Sequence, residues 1–122
     1  MAKILIVDDS AMSRRMLRRI LEGASHSVIE ADDGMVAIEK YFLEKPDLVM
    51  LDLIMKGISG MEVLQKIRQM DQSARLLVAS ADIQTSTRAL TEAEGAMGFV
   101  TKPFAEKDII MAVDSALKEG RQ

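Results

Sequence analysis

The sequence predicts an α/β domain: a doubly wound, five-stranded parallel sheet with helices on both faces. Two observations carry this. Short apolar runs without polar alternation recur along the chain, the pattern of strands buried on both faces. A longer amphipathic segment follows each run, so strand and helix alternate five times within 122 residues. That length suits one domain over residues 1–122, long enough to bury most of what its unfolded chain exposes.

The elements follow in order. Ile4–Val7 is the first strand. In Ser13–Leu21, Met16, Leu17, Ile20 and Leu21 fall on one helical arc, and Arg14, Arg15, Arg18 and Arg19 on the other, expected to be a solvated face. His26 lies in the next connection, where an exposed structural role is expected. Val28–Ala31 is a weaker strand, and Asp33–Leu43 a helix with Val36, Ala37, Ile38 and Tyr41 inward. Leu48–Leu51 precedes the helix Ser59–Met70, where Ser59 followed by Glu62 reads as a capping box. After Leu76–Ala79 comes Ser86–Glu94, whose only large apolar residue is Leu90, so a helix there is expected to be loosely held. Met97–Val100 and the helix Ala105–Leu117 complete the series. Most of the ten methionines fall at core spacing and are expected inside, with Met55 and Met97 as exceptions.

Composition narrows the function. The absence of cysteine excludes disulfides, thiolate metal sites and a cysteine nucleophile, and fits a cytoplasmic setting. A net charge of -3 and 3% aromatic residues argue against nucleic-acid binding. No apolar run approaches the roughly 20 residues needed to insert in a membrane, and the start of the chain lacks a signal-peptide core.

Function is to be sought beyond the carboxyl ends of the strands, where such sheets bind ligands. Asp8-Asp9, Asp52, Ser80-Ala81 and Thr101-Lys102-Pro103 stand there. An isolated Asp at such a place is ordinarily a turn or cap residue, but three carboxylates, a hydroxyl and an ammonium at successive strand ends form a set. The carboxylates repel one another unless a hard cation with oxygen ligands joins them, and Mg²⁺ (or Mn²⁺) fits. The single histidine is predicted far from these ends and thiolate is absent, so zinc is disfavoured. Such a pocket permits phosphoryl transfer: a carboxylate attacks phosphorus, while a lysine and a hydroxyl bind the remaining oxygens.

The runs Ile4–Ser10, Pro46–Asp52, Met55, Gly60, Ser80-Ala81 and Phe99–Phe104 resemble the receiver domains of two-component response regulators, and among them the single-domain, CheY-like chemotaxis members. The resemblance, not the periodicity, implies the strand order 2-1-3-4-5 of the flavodoxin-like fold. It implies Asp52 as phosphoacceptor, with Asp8, Asp9, Asp52 and the carbonyl of Ile54 around the metal. Lys102 is to pair first with Asp52 and then with the phosphoryl group. Ser80 and Phe99 form the switch, Ser80 finding in the phosphoryl group an acceptor that the bare carboxylate did not offer. The Lys102–Pro103 peptide is expected to be cis. Ile54, Asp82 and Lys56 occupy positions that tune loss of the phosphoryl group, and Lys56 departs from the usual Pro.

The implied protein is a signalling phosphoacceptor rather than an enzyme, catalysing only its own phosphotransfer and autodephosphorylation. Its partners are a histidine kinase, a downstream protein such as a motor or chemotaxis component, and a phosphatase; a monomer or weak dimer is expected. A phosphorelay intermediate and a phosphorylation-independent scaffold are the alternatives. A haloacid-dehalogenase-like phosphatase would need an acid where Ile54 stands, and a flavodoxin-like carrier a glycine-rich cradle where Asp8-Asp9-Ser10 stands.

Overall fold

A computed structural model of the chain describes residues 1–81 and 85–119. Strands β1 (Lys3–Val7), β2 (Ser27–Ala31), β3 (Leu48–Leu51), β4 (Leu76–Ser80) and β5 (Gly98–Thr101) alternate with helices α1 (Ala11–Gly23), α2 (Gly34–Glu44), α3 (Gly60–Met70), α4 (Thr85–Ala93) and α5 (Glu106–Lys118). All pairings are parallel, in the order β2-β1-β3-β4-β5.

The unbroken apolar runs are explained by a core on each side of the sheet. In β1, Ile4 and Ile6 pack with Leu17 and Leu21 of α1 and with Ile109 and Val113 of α5. Leu5 and Val7 point the other way, onto Ala37 and Tyr41 of α2 and Val63, Leu64 and Ile67 of α3. Every position of the strand therefore gains from burial, at roughly 1.5–3 kcal/mol per large aliphatic side chain.

Caps set the helix starts. Ser10 Oγ accepts from the Ser13 N–H at 3.2 Å, so α1 begins at Ala11, earlier than its apolar arc. Asp33 caps α2 and Ser59 caps α3 in the same way, through the N–H groups of Val36 and Glu62. The N-cap of α5, Ala105, has no side-chain acceptor, but Glu106 and Asp108 in its first turn complement the helix dipole.

Three expectations are corrected, on the methionines, His26 and the arginine face. Met50 is the one methionine in the buried core; Met1, Met12, Met35, Met70 and Met111 are exposed. An unbranched side chain with good helix propensity is tolerated on an outer arc, so spacing alone overstates its burial. On α4 the exposed Leu90 adds nothing to the core, and the buried residue among those described is Thr91, whose Oγ1 donates back to the carbonyls of Thr87 and Arg88. His26 is half-buried, and its Nδ1 accepts the Ala2 N–H at 3.1 Å. The arginine face of α1 is only partly solvated: Arg14 and Arg18 both pair with Glu30 on the edge strand β2, leaving Arg15 and Arg19 exposed. Among the described residues, no helix is long and apolar enough to cross a membrane.

Candidate functional site

A parallel sheet delivers the carboxyl ends of its strands to one rim. The register Val7↔Leu51 puts Asp8 and Asp52 side by side, and the Asp52 N–H donates to the Val7 carbonyl at 2.9 Å. The register Ser80↔Thr101 does the same for Ser80 and Lys102, whose N–H donates to the Ser80 carbonyl at 3.1 Å. Strand order reverses about β1, so the crevice between β1 and β3 is where a doubly wound sheet receives a ligand.

Asp52 is almost wholly buried, and both its oxygens are engaged. Oδ1 accepts from Ser80 Oγ at 3.0 Å and from the Ile54 N–H at 3.1 Å; Oδ2 pairs with Lys102 Nζ at 2.9 Å. This corrects one expectation about Ser80. Its hydroxyl already holds the bare carboxylate, so a group added to Asp52 changes the partner of Ser80 instead of providing the first one. Ile54 sends its side chain outward, 60% exposed.

Lys102 is shared. Its ammonium also lies 2.9 Å from Asp8 Oδ2, an ion pair the sequence did not signal. Burial alone would lower the lysine's pKa, but the hydrogen bond it donates to Asp52 and its ion pair with Asp8 outweigh this and raise the pKa above the ordinary value. Asp8 goes the other way for a carboxyl. Burial pushes its pKa up, and the Ser10 N–H and Lys102 only partly reverse this. Asp8 Oδ1 accepts from the Ser10 N–H at 2.8 Å, whereas Oδ2 is buried without a hydrogen bond, the ammonium being its only close partner among the described residues.

Asp9 is exposed and accepts the Lys56 N–H at 3.3 Å. A proline at position 56 would have no N–H to give, so the departure from the family pattern supplies a backbone donor. The Lys56 side chain is exposed. One oxygen from each of Asp8, Asp9 and Asp52 lies within 4.8 Å of the others. Asp8 Oδ2 is buried with the Lys102 ammonium as its close partner among the described residues, and this all-oxygen donor set fits a hard divalent cation such as Mg²⁺ or Mn²⁺.

The other residues singled out from the sequence are placed as follows. Gly60 lets α3 start hard against the Asp52 loop: a Cβ there would stand 2.3 Å from the Asp52 carbonyl oxygen. Phe99 is half-buried on β5, with the Arg88 guanidinium 4.8 Å from its ring centroid. The Lys102–Pro103 peptide is cis. Asp82 lies outside the described residues. Sequence reasoning missed the Arg14 guanidinium, which donates to the Asp8 carbonyl at 2.7 Å; its position one turn into α1 was the available signal.

Comparison with known proteins agrees with this geometry. The model of the response regulator receiver domain matches residues 4–114. The chemotaxis protein CheY of Bacillus subtilis is 38% identical over 116 residues, covering 94% of this chain and 97% of that protein. CheY of Listeria monocytogenes is 36% identical over 119 residues, covering 97% of this chain and all of that protein. The crystal structure of Vibrio cholerae CheY4 superposes with a TM-score of 0.91 at 28% identity, covering 96% of this chain and 99% of that one. Fold, strand-end chemistry and full-length similarity to CheY place the chain in the response regulator receiver domain family.

Proposed function

We propose that the chain is a cytoplasmic receiver that accepts a phosphoryl group from a phosphohistidine of a histidine kinase onto Asp52. The observation that carries this is Asp52 itself: a buried carboxylate at the crevice, with a lysine ammonium on one oxygen and a serine hydroxyl on the other. An Asp52 oxygen attacks phosphorus, the new P–O bond forms as the P–N bond breaks, and the electron pair leaves on the imidazole nitrogen. Asp8, Asp9, Asp52 and the Ile54 carbonyl would hold Mg²⁺, which when bound neutralises phosphoryl oxygens. Lys102 supplies the fixed positive charge opposite it, and its raised pKa keeps it protonated at neutral pH.

Signalling follows from exchange of partners. An aspartyl phosphate of about -1.5 to -2 charges replaces a carboxylate of -1, so the site gains at most about one negative charge together with three acceptor oxygens placed further out. Ser80 and Lys102, now on the bare carboxylate, must shift to those oxygens, and the end of β4 moves with Ser80. Phe99, on the neighbouring strand, and α4 are the elements beside that movement. A target that binds the shifted face better couples phosphorylation to output. Full-length similarity to CheY supports a chemotaxis partner such as a motor component. In this reading a phosphatase can reset the signal, while Lys56, Ile54 and Asp82 tune the rate of autodephosphorylation.

The test is intact-mass analysis after incubation with phosphoramidate and Mg²⁺. One added phosphoryl group on the wild type, abolished by EDTA and by Asp52→Asn, is expected. An equal adduct on Asp52→Asn would move the acceptor elsewhere.

A further inference from the structure

Behind the acidic crevice, on the side away from Lys102, lies a second charged assembly that phosphoryl transfer does not use. Arg14 sits one turn into α1. Its Nη1 donates to the main-chain carbonyl of Asp8 at 2.7 Å, and its Nε to Glu30 Oε1 at 3.0 Å. Glu30 is gripped from its other oxygen by Arg18 Nε at 2.5 Å. The backbone of the same edge strand is tied down as well, since Lys40 Nζ donates to the Glu30 carbonyl at 2.5 Å. Burial favours the neutral form of Glu30, but the two arginines outweigh it and hold its carboxyl below the ordinary range.

The target of this assembly is the turn that presents the first two acids. Asp8 is fixed through its N–H to the Ala31 carbonyl and through Oδ1 to the Ser10 N–H; the guanidinium of Arg14 takes its carbonyl. With these three groups occupied, Oδ2 is left aimed into the crevice, where the Lys102 ammonium 2.9 Å away is its close partner among the described residues. Asp9 follows on the same turn. A rigid planar fork is suited to this work because it reaches a carbonyl and a carboxylate at once from fixed directions, which an ammonium on a flexible stem does not.

We propose that Arg14, braced by Glu30, is a positioning residue for divalent-cation binding: it locks the main chain at Asp8 so that the Asp8 and Asp9 carboxylates face Asp52. The inference rests on the receiver reading of the crevice, and it adds a residue that touches neither the cation nor the phosphoryl group. Outer partners of metal ligands ordinarily change metal affinity by about 10–100-fold when removed.

The experiment is titration of the unphosphorylated protein with Mn²⁺, following free Mn²⁺ by electron paramagnetic resonance. Arg14→Ala is expected to weaken Mn²⁺ binding at least about 10-fold, with Arg14→Lys recovering only part. Glu30→Gln, which leaves Arg14 braced by a neutral group, is expected to fall between wild type and Arg14→Ala. Arg18→Ala removes an even closer contact to Glu30 but touches no part of Asp8, so it should stay within about 2-fold of wild type, below the range for outer partners. Thermal unfolding in EDTA identifies any variant that fails to fold; if Arg14→Ala does, Arg14→Lys and Glu30→Gln carry the test. Wild-type affinity in folded Arg14 variants, or equal losses in Arg14→Ala and Arg18→Ala, would overturn the proposal and leave the receiver reading standing. A wild type that binds no Mn²⁺ would overturn both.

Discussion

Asp8 shows how the demands of a binding crevice act on a single residue. It is 1% exposed, its Oδ2 has only the ion pair with Lys102, an ammonium it shares with Asp52, and burial raises its pKa despite that partner. The carboxylate is therefore uncomfortable in the absence of a cation, as expected when ligands are held ready for an ion. Asp8→Asn removes the buried charge while keeping an acceptor for the Ser10 N–H. It is expected to stabilise the protein in EDTA by roughly 1–2 kcal/mol and to abolish stabilisation by Mg²⁺. Thermal unfolding with EDTA and with Mg²⁺ checks both halves, and an Asp8→Asn protein less stable than wild type in EDTA would refute the first. At this scale the acids, Ser80 and Lys102 were legible in the sequence because each stands just past an apolar run. The sharing of Lys102 between two carboxylates was not, because pattern gives the rim a residue occupies and not its partner there.

At the scale of elements, the contact between α3 and the β3 loop fixes where Asp52 sits. Gly60 opens α3 with its backbone against that loop, and an added Cβ would meet the Asp52 carbonyl oxygen at 2.3 Å and Leu53 Cα at 2.5 Å. Both are main-chain atoms and cannot turn aside. Gly60→Ala is expected to cost about 1–3 kcal/mol by urea denaturation and to slow phosphorylation of Asp52. Gly23, at the end of α1, has nothing within 4 Å of its added Cβ, so Gly23→Ala is the neutral or stabilising control. The five strands and the alternation were readable because runs buried on both faces have no competing pattern. α4 was located, but its inward residue was not legible: its one large apolar side chain, Leu90, is exposed, while Thr91 is buried and bonds its hydroxyl within its own helix. The methionines were misplaced for a related reason, since periodicity ranks residues by apolarity and the outer arc of a helix tolerates a thioether.

Taken whole, the molecule is two apolar layers clamped on a sheet whose edge at β2 is tied to α1 by charge. Glu30 joins Arg14 and Arg18 there, and its lowered pKa makes the tie acid-labile. In the unfolded chain Glu30 titrates near 4.5, and in the folded protein lower. As pH falls through that window the unfolded chain takes up the proton first, so the contribution is complete above it and lost below the folded value. Glu30→Gln is therefore expected to lower the unfolding free energy from urea denaturation at neutral pH by about 1 kcal/mol, given its partial exposure, and to match wild type in strong acid. A difference that persists in acid would assign the effect to packing. The one-way sheet has a practical consequence too. The turn after α3 that carries the exposed Gln72 lies at the rim opposite Asp52, and the chain has no cysteine. A single Gln72→Cys thiol would therefore give a unique handle for a fluorophore or a sensor chip, with the reactive end of the molecule left facing solution.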